Sequence, residues 1–186
     1  MATGAFRIVC SGLISNQMNS VDKFIKKLAP VGSSLQKNWS TGITHVIVKP
    51  DENMLAQRTL KYLYGVASGV WIISFQWVSE SLATNKMLPE SEFEMLDTTG
   101  IAGPQRARMG FKPVFENCEF FLSPPFQEVS LDQLKDLVEL SGARLVNSPG
   151  EFTLNKNFIK LIIADTTSDH DADSKYPFYS KVRLPA

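Results

Sequence analysis

Histidine and cysteine are scarce in this 186-residue chain, with two of each and no two of the four close in sequence. Cys10 and Cys118 stand in separate apolar runs, without a CxxC pair or a Cys/His cluster. That pattern excludes a zinc site of the RING type and a disulfide framework, and both residues read as buried free thiols. No metal or cofactor is expected. No carboxylate pair, nucleophile elbow or glycine-rich phosphate cradle accompanies His45 or His170, so the chain is not expected to be an enzyme. His45 sits within a strand pattern and reads as structural, and His170 falls in a polar stretch. Long apolar runs are missing as well, and none approaches the roughly 20 residues of a membrane-spanning helix. The first residues carry neither the charged nor the apolar region of a secretory signal, so an intracellular, soluble chain is expected.

An excess of charge of either sign is also lacking. Nineteen Lys and Arg balance nineteen Asp and Glu, for a formal net charge of zero. Proteins that coat duplex DNA usually carry a basic excess or stripe, so DNA is not expected as the main ligand. A small, local anion site remains compatible with neutrality. What the chain does have is 44% hydrophobic and 20% charged residues, a globular composition. Its length suits one large domain or two small ones. Without a coiled-coil pattern, it is expected to act as a monomer.

Apolar residues 6–10 predict a strand that ends at Ser11 and Gly12. Met18, Val21, Ile25 and Leu28 then recur at helical spacing, and Pro30 and Gly32 close that helix. A short strand is expected near residues 32–35, and a buried one over residues 44–48. Residues 58–65 start a short helix with Thr59 as its N-cap. Residues 70–73 predict another strand, after which Ser74 can cap a helix carrying Phe75, Val78 and Leu82, with Trp77 beside them. Alternation of this kind predicts an α/β fold, a parallel sheet with helices on both faces.

The same grammar restarts at Cys118. Residues 118–122 repeat the opening strand, and Ser130 with Gln133 forms a capping box for a helix carrying Leu131, Leu134, Leu137 and Val138. Residues 158–163 repeat the strand around Val46. The offset of about 113 to 115 residues marks an internal duplication. Copies are expected at residues 6–96 and 115–186. Between them, residues 97–114 are rich in Gly and Pro, carry Arg106 and Arg108, and read as a solvated linker. The second copy shows no counterpart to the strand and tryptophan helix of residues 71–82, so it is expected to be incomplete at its C-terminal end.

Several stretches together resemble the tandem BRCT repeat family. They are Arg58 to Tyr62, Trp71 through Val78, Lys86 to Leu88, Gly103 to Arg108, Asp132 to Leu134, and Ser141 to Ala143. The resemblance runs from Phe6 to about Ala164. It implies two repeats, each with a four-stranded parallel sheet flanked by helices, packed head to tail. The second repeat is expected to lack the family's closing helix. The resemblance also implies a nuclear adaptor of the DNA-damage response that binds partners phosphorylated on serine, with an aromatic or apolar residue three positions later (pSer-x-x-Phe). Some parent proteins of such repeats carry a ubiquitin-ligase RING, which this chain does not contain.

A phosphoserine brings about −1.5 to −2 charges and three strong acceptor oxygens. A receptor for it needs a hydroxyl, an unobstructed amide and a cation, best at a helix N-terminus. By resemblance, Ser11, Gly12 and Lys61 hold the phosphate and Thr59 orients the pocket. Lys61 is poorly placed for helix stability, because the first turn already has positive character. An ordinary strand-ending turn and a solvated lysine would account for the same residues without a ligand. Ser123-Pro124 replaces Ser11-Gly12 in the second copy, and proline has no amide to donate. One phosphate site per chain is therefore expected. Resemblance further implies that Arg58 holds the peptide backbone, and that Leu63 and Leu184 line the slot for the third residue. Plain core packing is the competing role for Leu63. A phosphorylation-independent interaction module or a DNA-end binder is the alternative reading of the whole chain.

Overall fold

The computed structural model describes residues 4–110, 112–165 and 180–184. The chain divides into two compact units, Met1–Phe111 and Lys112–Ala186.

In the first unit the order is β1 (Arg7–Ser11), α1 (Ser15–Lys27), β2 (Ser34–Gln36), β3 (His45–Val48), α2 (Leu60–Ala67), β4 (Trp71–Ser74) and α3 (Gln76–Thr84). The strands form one parallel sheet in the order β2-β1-β3-β4. Central parallel strands are covered on both faces, which is why β1 and β3 are mostly apolar, with Ile8–Cys10 and Val46–Val48 buried. Alternate side chains divide between the faces. Ile8, Cys10, Ile47 and Ile73 pack with Val21 and Phe24 of α1 and Trp77 and Val78 of α3. Val9, Val46, Val48 and Ile72 pack with Tyr62 of α2. Trp77 is fully buried and donates its indole N–H to the Leu88 carbonyl at 2.8 Å. His45 stacks on that indole with centroids 5.6 Å apart, and its Nδ1 meets Thr44 Oγ1 at 2.7 Å. Its Nε2 lies 3.9 Å from Glu90, too far for a hydrogen bond. His45 is thus a core residue, as its strand position implied. Ser74 stands one residue before the N-cap expected of it, which is Phe75, yet its hydroxyl still accepts from the Gln76 N–H at 3.2 Å.

The solvated linker expected at residues 97–114 is a correction, because most of that stretch folds onto the first unit. Gly103–Arg108 forms a short helix, α4, with proline in its first turn, where the missing N–H costs nothing. Arg108 donates from Nε and Nη2 to the buried Glu94 carboxylate at 2.8 and 2.9 Å, and its guanidinium carbon lies 3.5 Å from the centre of the Trp71 ring. A bidentate pair stacked on an aromatic face fixes this helix rather than tethering it loosely.

The second unit contains β5 (Cys118–Ser123), α5 (Leu131–Leu140), β6 (Arg144–Val146), β7 (Ile159–Asp165) and β8 (Ser180–Leu184). Its parallel order, β6-β5-β7-β8, repeats that of the first sheet. The capping box is formed, with Ser130 accepting from Gln133 N–H and Gln133 accepting from Ser130 N–H. Cys118, Phe120 and Leu122 pack against Leu134 and Val138 of the helix. Glu119 is fully buried between Arg144 and the Thr153 amide. The last strand, expected to be missing, is present: β8 pairs with β7 from Leu161↔Ser180 to Asp165↔Leu184. Its sequence alternates charged and apolar residues, as edge strands do, and so does not resemble the apolar run of β4. His170 lies outside the described residues.

One position fixes how closely α2 approaches its sheet. A Cβ on Gly65 would fall 2.5 Å from Ile72 Cδ1 and 2.7 Å from Val46 Cγ2. Gly65→Ala should therefore cost about 1–3 kcal/mol through overpacking. Urea unfolding should show a lowered midpoint, and an unchanged midpoint would mean that the helix can move away freely.

Candidate functional site

Parallel pairing brings β1 and β3 to a common end, where the Lys49 N–H donates to the Ser11 carbonyl at 3.2 Å. Ligands of open parallel sheets gather at this carboxyl edge. Gly12 follows at once, exposed and with φ +73°, a left-handed conformation that side chains disfavour. Its N–H has no hydrogen-bond partner among the described residues.

Thr59 is the N-cap of α2, and its Oγ1 accepts from the Tyr62 N–H at 3.3 Å. The same oxygen lies 2.7 Å from Ser11 Oγ. Either hydroxyl can be the donor in this pair, because Thr59 Oγ1 keeps a second lone pair beside the one that accepts the Tyr62 amide. When Thr59 donates, the Ser11 proton is free to turn outward to a ligand.

Lys61 Nζ donates to two carbonyls, Cys10 at 3.1 Å and Lys37 at 2.9 Å. Both are neutral, and no carboxylate pairs with Lys61 among the described residues. The ammonium is held by dipoles without being neutralised, and one of its three protons remains to be offered. Beneath it, burial pushes the Cys10 thiol up to about 12, opposed by the Lys61 charge and reinforced by Asp22. Burial raises Cys118 too. Both thiols stay protonated and unreactive at neutral pH.

Ser11, Gly12, Thr59 and Lys61 are thus gathered at one corner of the first unit. The residues expected to read the peptide beyond the phosphate are less concentrated. Arg58 is exposed, and its charge acts on Tyr62 and Asp97. Tyr62 is pushed up to about 12, chiefly by burial, then by Asp97, with Arg58 opposing. The Asp97 carboxyl is held below its usual range, first by the Thr99 hydroxyl. Leu63 is half-buried and packs against the Val9 and Val46 cluster of its own unit. Leu184 pairs through its backbone with Asp165 in the second unit.

Two features escaped the sequence. A cleft of about 630 Å³ opens beside Gly12, lined by Lys49, Asp51, Glu52, Asn53 and Gln57. The Lys37 carbonyl could not be foreseen as a partner for Lys61, because a backbone group leaves no mark on residue identity.

Residues 6–82 match the BRCA1 C Terminus (BRCT) domain. The chain is 34% identical over 143 residues to the rat "Breast cancer type 1 susceptibility protein homolog", covering 75% of this chain and 8% of that protein. It therefore spans a small fraction of its relative's length. The BRCT5-BRCT6 domains of S. pombe Brc1 superpose with a TM-score of 0.56 at 16% identity, over 87% of this chain and 76% of that one. Rtt107p, in its complex with phosphorylated histone H2A, gives 0.51 at 11% identity, over 93% and 75%. At these identities the two structures speak to the fold.

Thr59 can be tested without any ligand. Thr59→Val removes the cap and should lower stability by about 1 kcal/mol, whereas Thr59→Ser should retain most of it. Equal urea midpoints for the two variants would show that the capping bond contributes nothing.

Proposed function

This chain belongs to the BRCT family, whose domains are interaction modules rather than enzymes, and on that premise we propose that its first repeat reads phosphoserine peptides. The observation that carries this reading is the convergence at one corner of three groups able to donate: the Ser11 hydroxyl, the Gly12 amide and the Lys61 ammonium. A phosphoserine dianion would satisfy all three. The Lys61 charge, unneutralised by any described carboxylate, would gain a partner. Rtt107p, which shares the fold, is known in a complex with phosphorylated histone H2A.

The second repeat has Ser123-Pro124 where the first has Ser11-Gly12, and proline cannot replace the Gly12 amide. One phosphate site per chain follows. Selection of an aromatic or apolar residue three positions after the phosphoserine is assigned to Arg58, Leu63 and Leu184. The adaptor serves as one part of a larger nuclear protein of the DNA-damage response.

A phosphoserine peptide with phenylalanine three residues on, titrated beside its unphosphorylated twin, tests the reading. A charge-assisted hydrogen bond contributes about 1.5–3 kcal/mol, so Ser11→Ala and Lys61→Met should each weaken the phosphopeptide about tenfold or more. Neither should change binding of the twin. Equal binding of the two peptides to the unaltered protein would end the phosphate reading, and tight salt-sensitive binding of DNA ends would replace it.

A further inference from the structure

Lys61 and Tyr64 are three residues apart on α2 and so lie on the same face of that helix. The segment leaving β2 crosses that face and touches both. The Lys37 carbonyl accepts from Lys61 Nζ at 2.9 Å, and two residues on, the Trp39 ring stacks on Tyr64 with centroids 5.5 Å apart and planes at 11°. Tyr64 is buried on its helix, whereas Trp39 is half-buried and packs against the Val9 and Val46 cluster. From this arrangement we infer that Trp39 is a positioning residue for Lys61. Its stack on Tyr64 anchors the segment whose Lys37 carbonyl holds the ammonium over the Ser11 corner. In its consequence for ligand affinity, the inference rests on the phosphate reading above.

The physical need for such an anchor comes from lysine itself. Its ammonium rides on a flexible four-carbon stem, and a single acceptor, the Cys10 carbonyl, leaves it able to swing toward water. A second carbonyl fixes the direction before any ligand arrives, so less ordering remains to be done on binding. Lys37 contributes only its main chain, which no substitution at position 37 removes. Control of that carbonyl therefore lies with the side chain that pins the segment, Trp39.

The test compares Trp39→Ala, Trp39→Leu and Trp39→Phe in the whole chain, with folding checked by circular dichroism. Leucine keeps apolar bulk against the core without an aromatic face, so it serves if alanine fails to fold. Phenylalanine keeps the stack. One readout needs no ligand: an immobilised Lys61 should give two distinct ε-methylene proton signals by NMR on 13C-labelled protein. These should merge in Trp39→Ala or Trp39→Leu and separate again in Trp39→Phe. The second readout is affinity for the phosphoserine peptide, expected to fall about three- to tenfold in the alanine or leucine variant and to recover with phenylalanine, while the unphosphorylated twin is unaffected. Separate Lys61 signals persisting in folded Trp39→Ala or Trp39→Leu would overturn the inference. Merged signals with phosphopeptide affinity unchanged in both Trp39→Ala and Lys61→Met would support the positioning role and sink the phosphate reading instead.

Discussion

Helix α2 lies so close to its sheet that a Cβ at position 65 would fall 2.5 Å from Ile72 Cδ1 and 2.7 Å from Val46 Cγ2. The candidate site depends on that approach. With the helix seated there, its N-cap Thr59 meets Ser11 at the end of β1, and Lys61 in its first turn reaches the Cys10 carbonyl. A helix standing further off would separate the hydroxyl pair and withdraw the ammonium. Core packing and the donor cluster are thus two consequences of one contact. The site is carried on a helix start and a strand end, elements that hold side chains more rigidly than loops do.

The two units share one topology and differ at the residue where the phosphate site is proposed. Both sheets run in the same parallel order, and Ser123 pairs with Ala164 at the end of β5 much as Ser11 pairs with Val48 at the end of β1. The difference lies in the next residue. Gly12 presents an unused amide in a left-handed turn, and Pro124 has no amide to present. The fold tolerates either residue because the position follows the last ladder pair and bears no load in the sheet.

Much of this was legible in the sequence, because the signals were local. Apolar runs marked the central strands, Ser130 and Gln133 marked the capping box, and Thr59 marked the start of α2. Lys61 drew attention as a cation at the wrong end of a helix. The failures have equally physical causes. Gly103-Pro104 looks like a chain breaker until the packing of α4 shows proline in a first turn. The edge strand β8 hides behind alternating charge. The grip on Lys61 comes from main-chain carbonyls, and the Trp39–Tyr64 stack joins residues that only the fold brings together. Leu63 carried two readings in the sequence, and its packing within the first unit accounts for its burial.

The most direct test of the central claim follows the Gly12 amide itself by 1H–15N NMR as phosphoserine peptide is added. A hydrogen bond to a phosphate oxygen should move the Gly12 amide proton strongly downfield, with Ser11 and the first turn of α2 shifting alongside, while the unphosphorylated peptide at matched concentration leaves Gly12 in place. Saturable phosphopeptide binding that leaves Gly12 unmoved, or that perturbs the residues around Ser123 instead, would contradict the assignment of the phosphate to the first repeat.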